Sequence, residues 1–267
     1  MKKKVKRLFF AFKVEAPFYE KIYPARHLDK EDIHVTIVFI GNWPIEKYQE
    51  IKKNIPLSPF SFAPSAIGDK LLLLPFDNPS CMTMHLTLRD EEKKKLEDFR
   101  CILINYIASF DIQIELRPLL LHTTLARKPF DASIWLKHFK KVPILLTKFC
   151  LYESVGQLKY NILWEQNLMR PFEEVDHTAG IAFAIYGHCI QDLYINAQMA
   201  LSFLNPDFTQ FINYKKIDSL EKIIHELNKT ISLVNIEQRC PIKAISMHGN
   251  IEKTEKNLLK WLMIADI

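Results

Sequence analysis

The sequence predicts an α+β protein built on antiparallel sheet, and three observations carry that prediction. Strand-like and helix-like stretches alternate along the chain without a regular βαβ rhythm. Residues 144–155 and 159–168 read as two apolar strands joined by a tight turn, the mark of a hairpin. Hydrophobic residues make up 48% of the 267-residue chain and charged residues 25%, the profile of a globular protein with a sizeable core.

Taken in order, "RLFFAFKV" (7–14) reads as a strand and "HVTIVFIG" (34–41) as a second. "IEKYQEIKKNI" (45–55) has Ile45, Tyr48, Ile51 and Ile55 at helical spacing and predicts an amphipathic helix. "DKLLLLPF" (69–76) is strand-like. "RDEEKKKLEDFRCILINYIASF" (89–110) places charge early and an apolar stripe later, as a long helix should. "LLLHTTLARKP" (119–129) predicts a strand ended by Pro129, and "DASIWLKHFKKV" (131–142) a short helix capped by Asp131 or Ser133. The pattern breaks near "NLMRPF" (167–172), which sets two domains, 1–169 and 170–267. The second contains a strand at 180–187, a helix at 189–204, a turn at "NPDF", a helix at 218–234 and two closing strands, "PIKAISMHG" and "KNLLKWLMIADI".

Composition excludes several classes. Only 6 glycines, with neither GxxxxGK nor GxGxxG, argue against a phosphate cradle of the P-loop or Rossmann kind. The 5 cysteines are scattered and lack a CxxC pair, so reduced thiols in a cytoplasmic protein are expected. Although 5 of the first 7 residues are basic, the "LFFAF" that follows is too short for a signal core, and no apolar run reaches membrane-spanning length. The net charge of +5 is compatible with a polyanionic substrate without requiring one.

The chemistry lies in a short repeated form, His-x-Thr-apolar. It occurs as "HVTI" (His34, Thr36), "HLTL" (His85, Thr87) and "HTTL" (His122, Thr124). In a strand, residues i and i+2 share a face, so each copy presents an imidazole beside a hydroxyl. Two copies facing one cleft suit metal-free cleavage of a phosphodiester. One neutral imidazole takes a proton from water, and one protonated imidazole gives a proton to the leaving oxygen. Histidine's ordinary pKa near 6.5 keeps both forms accessible. The threonines can donate to the non-bridging oxygens. A lone histidine in an apolar strand is ordinarily a hydrogen-bonded core or edge residue, and the residues alone leave open which two of the three copies pair.

"RLFFAF", "HVTIVFIGN" and "HTTLARKPF", with the closing "LYESVGQLKYNILWEQNL", resemble in order the two-histidine (2H) phosphoesterases, more narrowly the RNA 2′,3′-cyclic phosphodiesterases once called 2′-5′ RNA ligases. The resemblance spans nearly all of residues 5 to 168. It implies a two-lobed, pseudo-twofold domain whose His34 and His122 are catalytic and whose Thr36 and Thr124 bind phosphate. It implies no cofactor, and it makes His85 structural. It also gives Arg127 a place against the nucleobase or phosphate. Phe10, with Phe12, is a candidate for the other side of a base sandwich, and Arg26 and His27 are candidates for backbone contact, although aromatics on such a strand are more often core and exposed charge is more often solvated.

From 170 onward, "FEEVDHTAGIAFAIYG", "CIQDLYINAQMAL", "SLEKIIHELN", "PIKAISMHG" and "LMIADI" resemble archease, a small accessory of the ligase that joins tRNA halves, in shortened form. That resemblance implies an RNA ligase as partner. Where the family carries a metal-binding aspartate this chain has Gly180, so no metal is expected there. Asp266 retains the terminal position and Asp176 is the nearest substitute. The expectation is a cytoplasmic, metal-independent phosphodiesterase that opens 2′,3′-cyclic phosphate ends of RNA, such as those of tRNA halves, in tRNA processing or RNA repair. The alternative is a non-catalytic RNA-end binder or ligase accessory.

Overall fold

The computed structural model describes residues 5–18, 24–112, 114, 118–176, 180–237, 240–246 and 249–267. The chain divides into two compact units, residues 1–140 with 144–169, and residues 141–143 with 170–267. In the described residues no helix is long and apolar enough to cross a membrane.

The first unit contains β1 (Val5–Glu15), β2 (Ala25–His27), β3 (His34–Pro44), α1 (Tyr48–Ile51), β4 (Ser65–Leu74), β5 (Cys81–Leu88), α2 (Asp90–Ala108), β6 (His122–Phe130), α3 (Ala132–His138), β7 (Val142–Gly156, all but its first two residues) and β8 (Lys159–Asn167). Its strands run in the order β1-β3-β6-β5-β4-β7-β8, and β7 also pairs with β1, so six strands close on themselves. β2 hangs from β6. All of the registered strand pairs are antiparallel, as the sequence predicts.

Each strand's face follows from its pattern. On β5, Met82, Met84, Leu86 and Leu88 are buried while Cys81, His85 and Thr87 on the other side are not, a period of two broken only by Thr83, which is buried and donates to the Leu72 carbonyl. β1 shows no such alternation, because Phe9, Phe10, Ala11 and Phe12 are all buried. α2 lays Leu96, Phe99, Leu103 and Ile107 against the sheet, with Phe99 edge-on to Phe149 at 5.0 Å between ring centroids.

Several elements differ from their sequence expectation. The helix expected over 45–55 is a 3₁₀ turn at Ile45–Lys47 followed by the single turn of α1. No side chain caps α1, and Ile51 and Ile55 are buried while Ile45 is exposed. The side chain of Tyr48 lies outside the described residues. β6 does not stop at Pro129 but runs on to Phe130, which pairs with Ala25 of β2. Asp131 caps α3, accepting from the Ser133 and Ile134 amides.

The second unit has β9 (Phe172–Val175), β10 (Ile181–Gly187), α4 (Ile190–Leu204), α5 (Leu220–Glu237), β11 (Ala244–Ile245), β12 (Ile251–Lys253) and β13 (Leu259–Asp266). Its sheet order is β11-β13-β10-β9, antiparallel, with β12 also on β13. The turn expected at "NPDF" is the start of a 3₁₀ helix, Pro206–Phe211, whose first turn is capped by the Asn205 side chain. α5 buries Ile223, Ile224, Leu227, Ile231 and Val234, one face at helical spacing. His177, Thr178 and Ala179 of "DHTAG", and Met247 and His248 of "SMHG", lie outside the described residues.

Gly180 is a position that only glycine fills. Its φ is +139°, and a Cβ there would lie 2.7 Å from the Ala265 carbonyl oxygen. Backbone of this kind costs a side-chain-bearing residue about 1–3 kcal/mol before any clash. Gly180→Ala is therefore expected to lower stability in urea unfolding of the full chain by at least about 2 kcal/mol, and Gly180→Asp by no less.

Candidate active site

The site rests on one backbone pairing. Val35 of β3 lies opposite Thr123 of β6, and both are fully buried. In an antiparallel pair this sets His34 across from Thr124 and Thr36 across from His122, all four on the face opposite to Val35 and Thr123. The two histidines are diagonal neighbours on that face, about 7–8 Å apart at the backbone, close enough for both rings to reach one phosphate. A local twofold axis through the Val35–Thr123 pair exchanges one motif for the other. Thr123 reinforces the pairing, its hydroxyl donating to the His34 carbonyl at 2.9 Å.

The same symmetry governs ring orientation. His34 Nδ1 lies 2.7 Å from the carbonyl oxygen of Asp32, and His122 Nδ1 lies 2.7 Å from that of Leu120. A carbonyl only accepts, so in each ring Nδ1 carries the proton and Nε2 is left for the substrate. Each imidazole is thus held by the backbone two residues before it.

The surroundings differ. His34 is half-buried and packed among rings, with centroids 4.9 Å from Phe9, 5.4 Å from Tyr152 and 4.7 Å, edge-on, from Tyr160. Burial pushes its pKa below the ordinary 6.5. The Asp32 carbonyl and carboxylate oppose that shift, and a charge on His122 adds to it. Beneath this ring Phe9, Ala11, Cys150 and Tyr152 form a buried cluster, where burial raises the Cys150 thiol to about 11 and pushes the Tyr152 hydroxyl well up. Asp32 itself is buried, and its carboxylate accepts from Lys159 Nζ at 2.9 Å and from the Tyr160 amide at 3.3 Å. It ties the segment before β3 to the start of β8.

Arg127 reaches the same face through a bulge. Five residues separate it from His122, an odd number that would reverse its side in a regular strand. The β5–β6 register slips by one at Leu125, and Arg127 then opposes Cys81 on the His122 side. Its Nε is buried without a hydrogen-bond partner, and its charge, with that of Arg7, acts on the Tyr160 hydroxyl. Arg7, Thr36, Phe39, Arg100, Leu120 and His122 are among the residues lining a cavity of about 560 Å³.

Other predicted residues lie elsewhere. Phe10 and Phe12 are fully buried and pack on Phe149 from the core side, at 5.5 and 5.2 Å, so neither can stack on a base. Phe9, not Phe10, neighbours His34. Arg26 is exposed, opposite Arg127, and His27 packs against Trp135 at 5.5 Å. His85 sits directly opposite His122 on β5, a placement the sequence does not reveal. In the second unit Asp176 is exposed, and both Asp266 carboxylate oxygens accept from Ser246 Oγ at 3.0 Å. Gly180 abuts Ala265 and Asp266. In the described residues no group of three or more His, Cys, Asp or Glu side chains is arranged to hold a metal ion.

No protein-family model matches this chain, and no curated protein does. Among solved structures it is similar to E. coli LigT complexed with 3′-AMP, at 19% identity over 62% of this chain and 100% of that one, with a TM-score of 0.45. A structure described as a phosphoesterase gives 19%, the same coverages and 0.43. The protein TT0787 of Thermus thermophilus gives 16%, 61% and 98%, and 0.41. At that identity and superposition the likeness assigns no residue and no activity to this chain.

The Asp32 contacts make a direct prediction. Asp32→Ala leaves the carbonyl that holds His34 but strands the Tyr160 amide and leaves Lys159 with Asp29 alone, at 2.6 Å. Urea unfolding is expected to show a loss of about 1–3 kcal/mol, the usual penalty for unpairing a buried polar group.

Proposed function

We propose that the first unit opens 2′,3′-cyclic phosphate ends of RNA to 2′-phosphates without a metal ion. The observation that carries this is the four-residue block His34, Thr36, His122 and Thr124 on one face, with each ring's Nε2 left for substrate by the same backbone tether. The site chemistry supports general acid–base cleavage by two imidazoles, and the resemblance in sequence supplies the substrate class.

Neutral His34 Nε2 takes a proton from water as its oxygen bonds to phosphorus in line with the 3′ oxygen. The P–O3′ bond breaks, and protonated His122 gives its proton to O3′. The phosphate stays on O2′. Thr36 and Thr124 donate to the non-bridging oxygens as charge builds there. Solvent then restores His34 to neutral and His122 to its protonated form. The base role falls to His34 because burial holds it neutral. His122, the diagonal partner, lies across the scissile phosphorus. Arg127, brought to the His122 side of β6 by the bulge, is assigned to the nucleobase or a phosphate.

The second unit is read as a shortened archease-like module that would bring an RNA ligase to the same kind of RNA end. The contact of Gly180 with Asp266 supports the alignment of these two positions with the family's metal-binding pair, and the glycine removes one of the two carboxylates.

An oligonucleotide ending in a 2′,3′-cyclic phosphate, incubated with the protein in chelator, is expected to yield a 2′-phosphate end. His34→Ala and His122→Ala should each slow this by at least about a hundredfold, the typical worth of a general acid or base. Tight binding with no turnover would replace this reading with that of a ligase accessory. The acid limb of the kcat/KM profile is expected below pH 6.5, because His34 must be neutral and its lowered pKa delays protonation on acidification. An acid limb above 6.5 would contradict the assignment of His34 as base.

A further inference from the structure

The file of side chains that includes the reacting groups does not end at His122. On the same face of the sheet, reading across β3, β6, β5 and β4, Thr36 is followed by His122, His85 and Lys70, each opposite the next. Neighbouring strands lie about 4.8 Å apart, so His85 stands about 5 Å and Lys70 about 10 Å from His122 at the backbone.

His85 is built into this file rather than merely exposed there. The β4–β5 register slips between Gly68 and Lys70, and the extra residue is Asp69. A bulge sets two consecutive residues of one strand against a single residue of the other. Asp69 and Lys70 thus both flank His85. Asp69 Oδ1 lies 2.7 Å from His85 Nδ1, and Asp69 Oδ2 accepts from the Thr87 hydroxyl at 3.0 Å. The carboxylate only accepts, so His85 Nδ1 carries a proton and Nε2 is directed away from Asp69. Both carboxylate oxygens are occupied, which leaves Asp69 an anchor for the ring. Lys70 is exposed, with its ammonium available to solvent.

We propose that His85, oriented by Asp69, and Lys70 form a second phosphate subsite, and that it holds the phosphate on the 5′ side of the terminal nucleotide. This rests on the function proposed above and names its substrate as an RNA chain rather than a mononucleotide. A cyclic phosphate closes the 3′ end, so the chain leaves the reacting centre only through that 5′ phosphate. With Nδ1 held by Asp69, His85 presents Nε2 for a hydrogen bond to a phosphate oxygen, while Lys70 adds a mobile charge.

The test compares a tetranucleotide ending in a 2′,3′-cyclic phosphate with a nucleoside 2′,3′-cyclic phosphate, which lacks the 5′ phosphate. In wild-type protein kcat/KM should favour the chain. In His85→Ala and Lys70→Ala that preference should fall by at least about tenfold, the worth of a charge-assisted hydrogen bond, mainly through KM for the chain. Lys70→Ala should also reduce the slope of log affinity against log salt by about 0.7, the value for one phosphate contact on a single strand. A preference unchanged in both variants overturns the subsite. So does an equal loss of kcat on both substrates, which would make His85 a positioning residue for His122. Should wild-type protein cleave neither substrate, the hydrolytic reading fails separately. Affinities for the tetranucleotide and the nucleoside ending in 2′-phosphate then decide the subsite by the same ratio.

Discussion

The pairing of Val35 with Thr123 is the constraint on which the site depends. Two segments separated by most of the first unit's length meet there, and the pairing is brief, for β3 and β6 share only that registered pair. Its strength comes from the context. Both residues are fully buried, the Thr123 hydroxyl adds a bond to the His34 carbonyl, and β1 and β5 flank the two strands on either side. A slip of either strand by one residue would turn that strand's histidine and threonine into the core and bring its buried residue, Val35 or Thr123, to the site face. Burial of Val35 and Thr123 is what makes that slip costly.

Much of this was legible in the chain and some was not. The spacing of His and Thr in each motif fixed their common face, because strand geometry alone requires it. Which motifs pair was not readable, since "HLTL" carries the same local pattern as the other two and also lies on the site face. β1 hid its orientation for a different reason. Apolar residues occupy both of its sides, so Phe9 and Phe10 could not be told apart by alternation. Arg127 reached the site only through a bulge at Leu125, and Asp69 reached His85 through another. Bulges are set by the partner strand as much as by the strand that carries them, which is why a single segment read alone does not reveal them.

The second unit has a position where the backbone itself dictates the residue. At position 180 the main chain adopts a conformation closed to side chains and lies against the carbonyl of Ala265. The glycine is therefore part of how β10 begins beside β13. Close by, the Asp266 carboxylate accepts from the Ser246 hydroxyl.

The tethers of the two imidazoles have a consequence for divergence. Each ring is aimed by a main-chain oxygen, not by a neighbouring acid or amide, so the identities of residues 32 and 120 do not enter that contact. Leu120 can drift to almost any type while His122 stays aimed. Distant relatives of such a domain would accordingly retain two short signatures and little else, with the aiming device invisible to any comparison of side chains.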